Sequence, residues 1–231
     1  MTVDRVLVLQ HVPWEGPGLI GEALVARGFT LDVRTVVDQV NPQLPDLAEL
    51  RAVVIMGGPM AADDVEHYPG LSAEAQLVRD AVAAEIPVLG VCLGHQIIAV
   101  ALGAELERGV APEFGMLSID VAGSDAVIDP IRSVPRVLQW HSDYAHLPDG
   151  AQLLARSDAC PNQAFRFGSA IGLQFHLEID SAALATWLAA PGVRGELPVE
   201  VAANIEADLA ADIPVLTPAA KQCFEAFAAS L

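Results

Sequence analysis

Hydrophobic positions along the first hundred residues alternate between two regimes. Short, almost wholly apolar runs, RVLVLQ (5–10), LDVRTV (31–36), AVVIMGG (52–58) and PVLGV (87–91), end in turn residues and read as buried strands. Between them, LIGEALVARG (19–28), LSAEAQLVRDAVAAE (71–85) and HQIIAVAL (95–102) carry apolar residues at helical spacing. The first ends in Gly28, the last is closed by Gly103, and Ser72 and Glu74 suit the first turn of the second. Strands this apolar cannot face water on either side. The rhythm therefore predicts an α/β fold, an open, mostly parallel sheet with helices on both faces.

After residue 103 the runs shorten. GAELERG, GMLSIDV, RVLQW, AQLLARS, NQAFRFG and AIGLQFH are spaced by turn residues and predict a few added antiparallel strands before the last core strand. From Ser181 the pattern returns to helices, among them EVAANIEADLAAD (200–212) and AAKQCFEAFAASL (219–231). No long linker or internal repeat interrupts the chain, so a single domain is expected over residues 1–231, with a C-terminal helical extension from about 181.

Composition narrows the partners. Thirty acids against twelve bases give a formal charge of −18, a surface that repels phosphate backbones and anionic lipid. Nucleic-acid and membrane partners are not expected, and no apolar run approaches the roughly 18 residues of a membrane span. The opening MTVDRVLVLQ does not read as a secretory leader. Three scattered cysteines, Cys92, Cys160 and Cys223, suit neither a disulfide framework nor a zinc cluster, and a reducing cytoplasm is the expected setting.

The candidate chemistry lies at strand ends. In GVCLGHQ (90–96), Cys92 occupies the turn between a strand and a helix, the cysteine form of a nucleophile elbow. Gly90 and Gly94 fit because side chains there would collide in so sharp a turn. The helix N-terminus favours the thiolate, and the Leu93 N–H points to where an oxyanion forms. QFHLE (174–178) ends a later apolar strand. Positions two apart in an extended chain share a side, so Glu178 can hold one imidazole nitrogen of His176 and leave the other as a base. IMGGPM (55–60) closes a third strand, where the Gly58 N–H can complete a two-donor oxyanion hole with Leu93. Taken singly, these fragments also read as a structural cysteine, a solvated rim pair and an ordinary turn. Their common place at the carboxyl edge of one sheet favours a site.

Together, GVCLGHQ, QFHLE and GGPM, with WHSD (140–143) and SDACPNQAF (157–165), resemble the class I, triad-type glutamine amidotransferases, especially the amidotransferase portion of GMP synthases and its stand-alone relatives. The resemblance spans about residues 50–180. It implies a flavodoxin-like fold and a Cys92–His176–Glu178 triad, with Gly58 and Leu93 holding the oxyanion. It also implies glutamine contacts from Gln96 and the backbones of Met60, Ser142 and Asp143. No metal or organic cofactor is implied. Leu177 stands where the family usually has proline, which is expected to loosen the chain slightly.

The implied reaction is hydrolysis of the glutamine side-chain amide through a γ-glutamyl thioester. No SGGxDS-type loop or phosphate-cradling loop accompanies it, so this chain is not expected to make GMP alone and is either self-sufficient as a glutamine hydrolase or feeds its ammonia to a separate synthetase. Two other functions stay open: a γ-glutamyl peptidase acting on glutathione-like compounds, and a protein with a non-catalytic regulatory or assembly role. Among the other histidines, His95 reads as a packing residue and His141 as part of a substrate loop. His11 follows the first strand and either lines the same edge or is a plain loop residue, and His67 and His146 read as surface residues. Cys160 is expected to fill a turn and Cys223 a helix face.

Overall fold

The computed structural model describes residues 3–231. Its first part follows the hydrophobic pattern: β1 (Arg5–Leu9), α1 (Gly18–Ala26), β2 (Thr30–Arg34), β3 (Ala52–Ile55), α2 (Gly70–Ala83), β4 (Val88–Val91) and α3 (Leu93–Ala101). β1 pairs in parallel with β2 and β3, and β3 with β4. Side chains alternate between the two faces. Val6, Val8, Val54 and Leu89 pack into one core layer with Ile20 and Leu24 of α1. Leu7, Leu9, Val53 and Val88 pack into the other with Leu77 of α2 and Ile97 of α3. Such two-sided burial is what the apolar strands required.

The shorter strands are β5 (Leu106–Glu107), β6 (Glu113–Leu117), β7 (Asp120–Val121), β8 (Val137–His141), β9 (Tyr144–Ala145), β10 (Gln152–Arg156), β11 (Ala164–Phe167) and β12 (Ala170–Leu173). β12 joins β4 in parallel, and the sheet then continues antiparallel, in the order β2-β1-β3-β4-β12-β11-β10-β7. β6 with β8 and β5 with β9 form separate antiparallel pairs. The run GMLSIDV is therefore divided between β6 and β7 rather than forming one strand. Chain order reverses between β1 and β3, and the carboxyl edge beside such a switch point is where open α/β sheets bind ligands.

The tail departs from the pattern. After α4 (Ser181–Ala189), capped by Asp180 Oδ1 on the Ala182 and Ala183 amides, come α5 (Val193–Glu196) and one continuous α6 (Val199–Ala229). The hydrophobic spacing predicts two helices over this last stretch, yet α6 runs through Pro214 and Pro218, each without a backbone donor. Burial explains why it holds together. Ile205, Leu209, Leu216, Ala220, Phe224 and Phe227 keep one apolar face through both prolines, and α6 packs on α1 and β6. Phe224 is 1% exposed, so Phe224→Ala is expected to cost about 3–5 kcal/mol. If helix and sheet form one unit, urea unfolding should shift as one cooperative transition; a separate transition for α6 would divide them.

Candidate active site

β4 delivers Cys92 into a turn with φ 51° and ψ −105°, in the positive-φ region that non-glycine residues rarely enter. Two glycines make the turn possible. A Cβ at Gly94 would overlap the Ile55 carbonyl at the end of β3, and one at Gly90 would overlap the Gly94 carbonyl. The Cys92 amide donates to the Leu173 carbonyl of β12 at 2.8 Å, so three neighbouring strands hold the turn. α3 begins at Leu93, two residues earlier than expected, which sets Leu93 at the head of the helix. The Leu93 and Gly58 amides donate to no acceptor among the described residues. The two residues are neighbours, since a Cβ at Gly58 would stand 3.0 Å from Leu93 Cδ2.

From the end of β12 the chain brings His176 to the same place, its amide bonded to the Leu138 carbonyl at 2.8 Å. His176 Nδ1 lies 2.7 Å from Glu178 Oε1, with both side chains about 1% exposed. Burial works against a charged imidazole, but the Glu178 carboxylate, which accepts from Nδ1, and the Cys92 sulfur nearby outweigh it, holding the His176 pKa well above its ordinary value. Trp187 meets the imidazole edge-on, with ring centres 4.9 Å apart. Leu177 does not loosen this pair. Its amide donates to Glu178 Oε2 at 3.0 Å, a bond that proline could not make. The Glu178 carbonyl accepts from Leu19 at 2.9 Å, and Gly18, with φ +43°, leaves room for that approach.

Cys92 and His176 open into a cleft of about 630 Å³ that Gly58, Met60, Gln96, Ser142 and Asp143 also line. Glu178 and Leu93 lie behind its wall. Gln96 Nε2 donates to Gln174 Oε1 at 3.1 Å, and Asp143 Oδ1 accepts from the Gly109 amide at 2.9 Å. His95 is fully buried against Gly172 and Phe165, and burial depresses its pKa to about 3, which fits a packing role. Cys223 is buried in α6.

Residues 19–189 match the family described as glutamine amidotransferase class-I. The chain belongs to that family. This class-I amidotransferase is 31% identical over 182 residues to the glutamine amidotransferase-like protein YfeJ of Salmonella typhimurium, covering 75% of each chain. It is 32% identical over 161 residues to one of the subunits of the glutamine-hydrolysing GMP synthase of Thermococcus kodakarensis, covering 65% of this chain and 80% of that one. Its fold matches the crystal structure of a glutamine amidotransferase from Thermotoga maritima with TM-score 0.84 and 29% identity over 99% of both chains.

Several residues at the site of this amidotransferase carry no signal in the sequence pattern. His11 is a buried residue, not a plain loop histidine. Nε2 lies 3.0 Å from Glu74 Oε2, and Nδ1 lies 3.0 Å from the carbonyl of Gly57, next to Gly58. Glu74 thus serves this pair rather than the start of α2. Glu15 and Trp14, in the turn after β1, also line the cleft, together with Trp140 and Trp187. Position alone could have found them, since the segment following any strand at the carboxyl edge of such a sheet is a candidate.

Glu113, His141 and Cys160 bring one possible metal-ligand atom each within 4.8 Å of one another, all buried. Glu113 Oε2 already accepts from Ser157 Oγ at 2.9 Å and Gln163 Nε2 at 2.6 Å. Burial pushes the Cys160 thiol up to about 12, and its sulfur donates to the Asn162 carbonyl at 3.5 Å, so the cluster's atoms are engaged in internal polar packing.

The His11–Glu74 pair yields a stability test. Burial disfavours the His11 cation, but Glu74, the Gly57 carbonyl and Glu15 raise its pKa overall. Its contribution is then fully present below the unfolded value of about 6.5 and is lost as pH rises through the raised folded value. Glu74→Ala should cost about 3–5 kcal/mol at pH 6 and less at higher pH, measured by urea unfolding across that range. A pH-independent loss would contradict this assignment.

Proposed function

We propose that this chain hydrolyses the side-chain amide of glutamine to glutamate and ammonia through a Cys92 γ-glutamyl thioester, and that residues 1–231 act as one unit. The observation that carries the reading is that Cys92 and His176 line one cleft, with Glu178 on the imidazole behind its wall and two amides free to donate beside them. Cys92 Sγ attacks the amide carbon, and the oxyanion is held by the Leu93 and Gly58 N–H groups. His176 Nε2 gives its proton to the leaving nitrogen as the C–N bond breaks. His176 then takes a proton from water, which attacks the thioester carbon and releases glutamate and the free thiol. Glu178 orients His176 through Nδ1 and stabilises its charged form. Gln96, Met60, Ser142 and Asp143 hold the glutamyl portion.

The GMP synthase relative is named as one component of a synthase made of subunits, which supports transfer of the ammonia to a separate synthetase. The size of the cleft favours a second reading, hydrolysis of larger γ-glutamyl amides, because it has several times the room one glutamine fills.

Glutamate release from glutamine is the test. Cys92→Ala is expected to lower it by at least about 10⁴-fold, and Glu178→Gln by about 10²-fold or more. An undiminished rate in Cys92→Ala, or no turnover of any γ-glutamyl amide by the unmodified chain, would contradict the assignment.

A further inference from the structure

The cleft has two flanks, and the proposed chemistry assigns them different work. His176 must face the nitrogen that leaves, so the flank on the His176 side receives the departing amine. Trp187 stands there against the imidazole. Glu15 stands there too, because a Cβ at Gly57 would overlap Glu15 Oε2 and lie only 3.4 Å from His176 Cε1. Trp14, next to Glu15 in the chain, and Val193 also line the cleft, as does Glu196, whose charge acts on Glu15. Ammonia needs no such enclosure. Two indoles and a valine suit an alkyl chain, and two carboxylates suit a charge at its end.

Glu15 is the informative member. Its side chain makes no hydrogen bond or ion pair among the described residues. Among the described residues, no Lys or Arg lines the cleft. The nearest candidate in sequence, Arg194 of α5, is turned away, bonded to Glu206 at 3.0 Å and to the Ala202 carbonyl at 2.8 Å. The groups that do act on Glu15 leave it short of positive charge. Burial, Glu178 and Glu196 push its carboxyl up, His176 and His11 pull it down, and the balance is about 7. A cation arriving with the substrate would supply what the empty cleft lacks.

We propose that the His176 flank is a leaving-group subsite for an alkyl amine bearing a second positive charge, with Glu15 as the residue that selects it. The substrate class is then the γ-glutamyl amide of an alkyl diamine. The reaction balances as before: the thiolate displaces the amine, the C–N bond breaks, His176 protonates the leaving nitrogen, and water releases glutamate. A leaving group that ends in a carboxylate, as in a γ-glutamyl peptide, would meet Glu15 and Glu196 with like charge and be disfavoured. This inference rests on the γ-glutamyl hydrolysis proposed above.

Three amides test it: γ-glutamyl-1,4-diaminobutane, its neutral counterpart γ-glutamyl-pentylamide, and γ-glutamylglycine. In the full-length chain, kcat/KM should favour the cationic amide over the neutral one by about tenfold or more, with γ-glutamylglycine lowest. Glu15→Gln should reduce the cationic preference to about threefold or less, mainly through KM. Calorimetric binding to Cys92→Ala should rank the three amides the same way, independent of turnover. Equal turnover and equal binding of all three would overturn the subsite and leave the hydrolysis standing. Preferential cation binding without turnover of any amide would uphold the subsite and overturn the hydrolysis. A cationic preference unchanged in Glu15→Gln would remove Glu15 from the role.

Discussion

At the end of β4 the backbone of α3 lies directly on the end of β3. The contact is too close for a Cβ at Gly94, and Gly90 is pressed by the Gly94 carbonyl in the same way. Most of the site follows from this packing. It forces the chain to leave the strand abruptly, so Cys92 occupies a backbone conformation that L-residues rarely adopt. The hydrogen bond from the Cys92 amide to the Leu173 carbonyl ties the strained residue to β12, the strand that also delivers His176. Cys92 and His176, the proposed nucleophile and base, are therefore set by the register of two paired strands rather than by mobile loops.

Around that turn, burial governs the charges. His176 and Glu178 are out of solvent, where an unpaired charge would be costly, and each offsets the cost for the other. The Leu177 amide adds a bond to the second carboxylate oxygen, so the carboxylate is held at both oxygens. His11 and Glu74 form a second buried pair beneath the Gly57 turn, joined through one carboxylate oxygen. Glu15 is the exception in this set, a carboxyl in the cleft without a partner. Its isolation distinguishes the side of the cleft where the amine would leave from the side assigned to the glutamyl group.

The sheet is legible in the sequence because strand runs such as VLVL (6–9) and AVVI (52–55) are apolar at every position, a pattern that only two-sided burial explains. The glycines of GVCLGHQ and the spacing of His176 and Glu178 point to the floor of the site for a similar reason, since each depends on local geometry alone. What stays hidden depends on distant packing. Pro214 and Pro218 suggest a break, yet the apolar face from Ile205 to Phe227 keeps its phase across them, and burial outweighs the two lost backbone bonds. His11 carries no local signal because its partner Glu74 lies 63 residues away. Glu15 carries no motif, only its position after the first strand at the switch point of the sheet.

The central claim is that Cys92, held by this turn, forms the acyl intermediate. Acid-quenched reactions with a γ-glutamyl amide, followed by peptide mass spectrometry, test it most directly. The account predicts a γ-glutamyl mass on the peptide carrying Cys92 and none on those carrying Cys160 or Cys223. A γ-glutamyl mass on either of those cysteines, or steady turnover with Cys92 never modified, would contradict it.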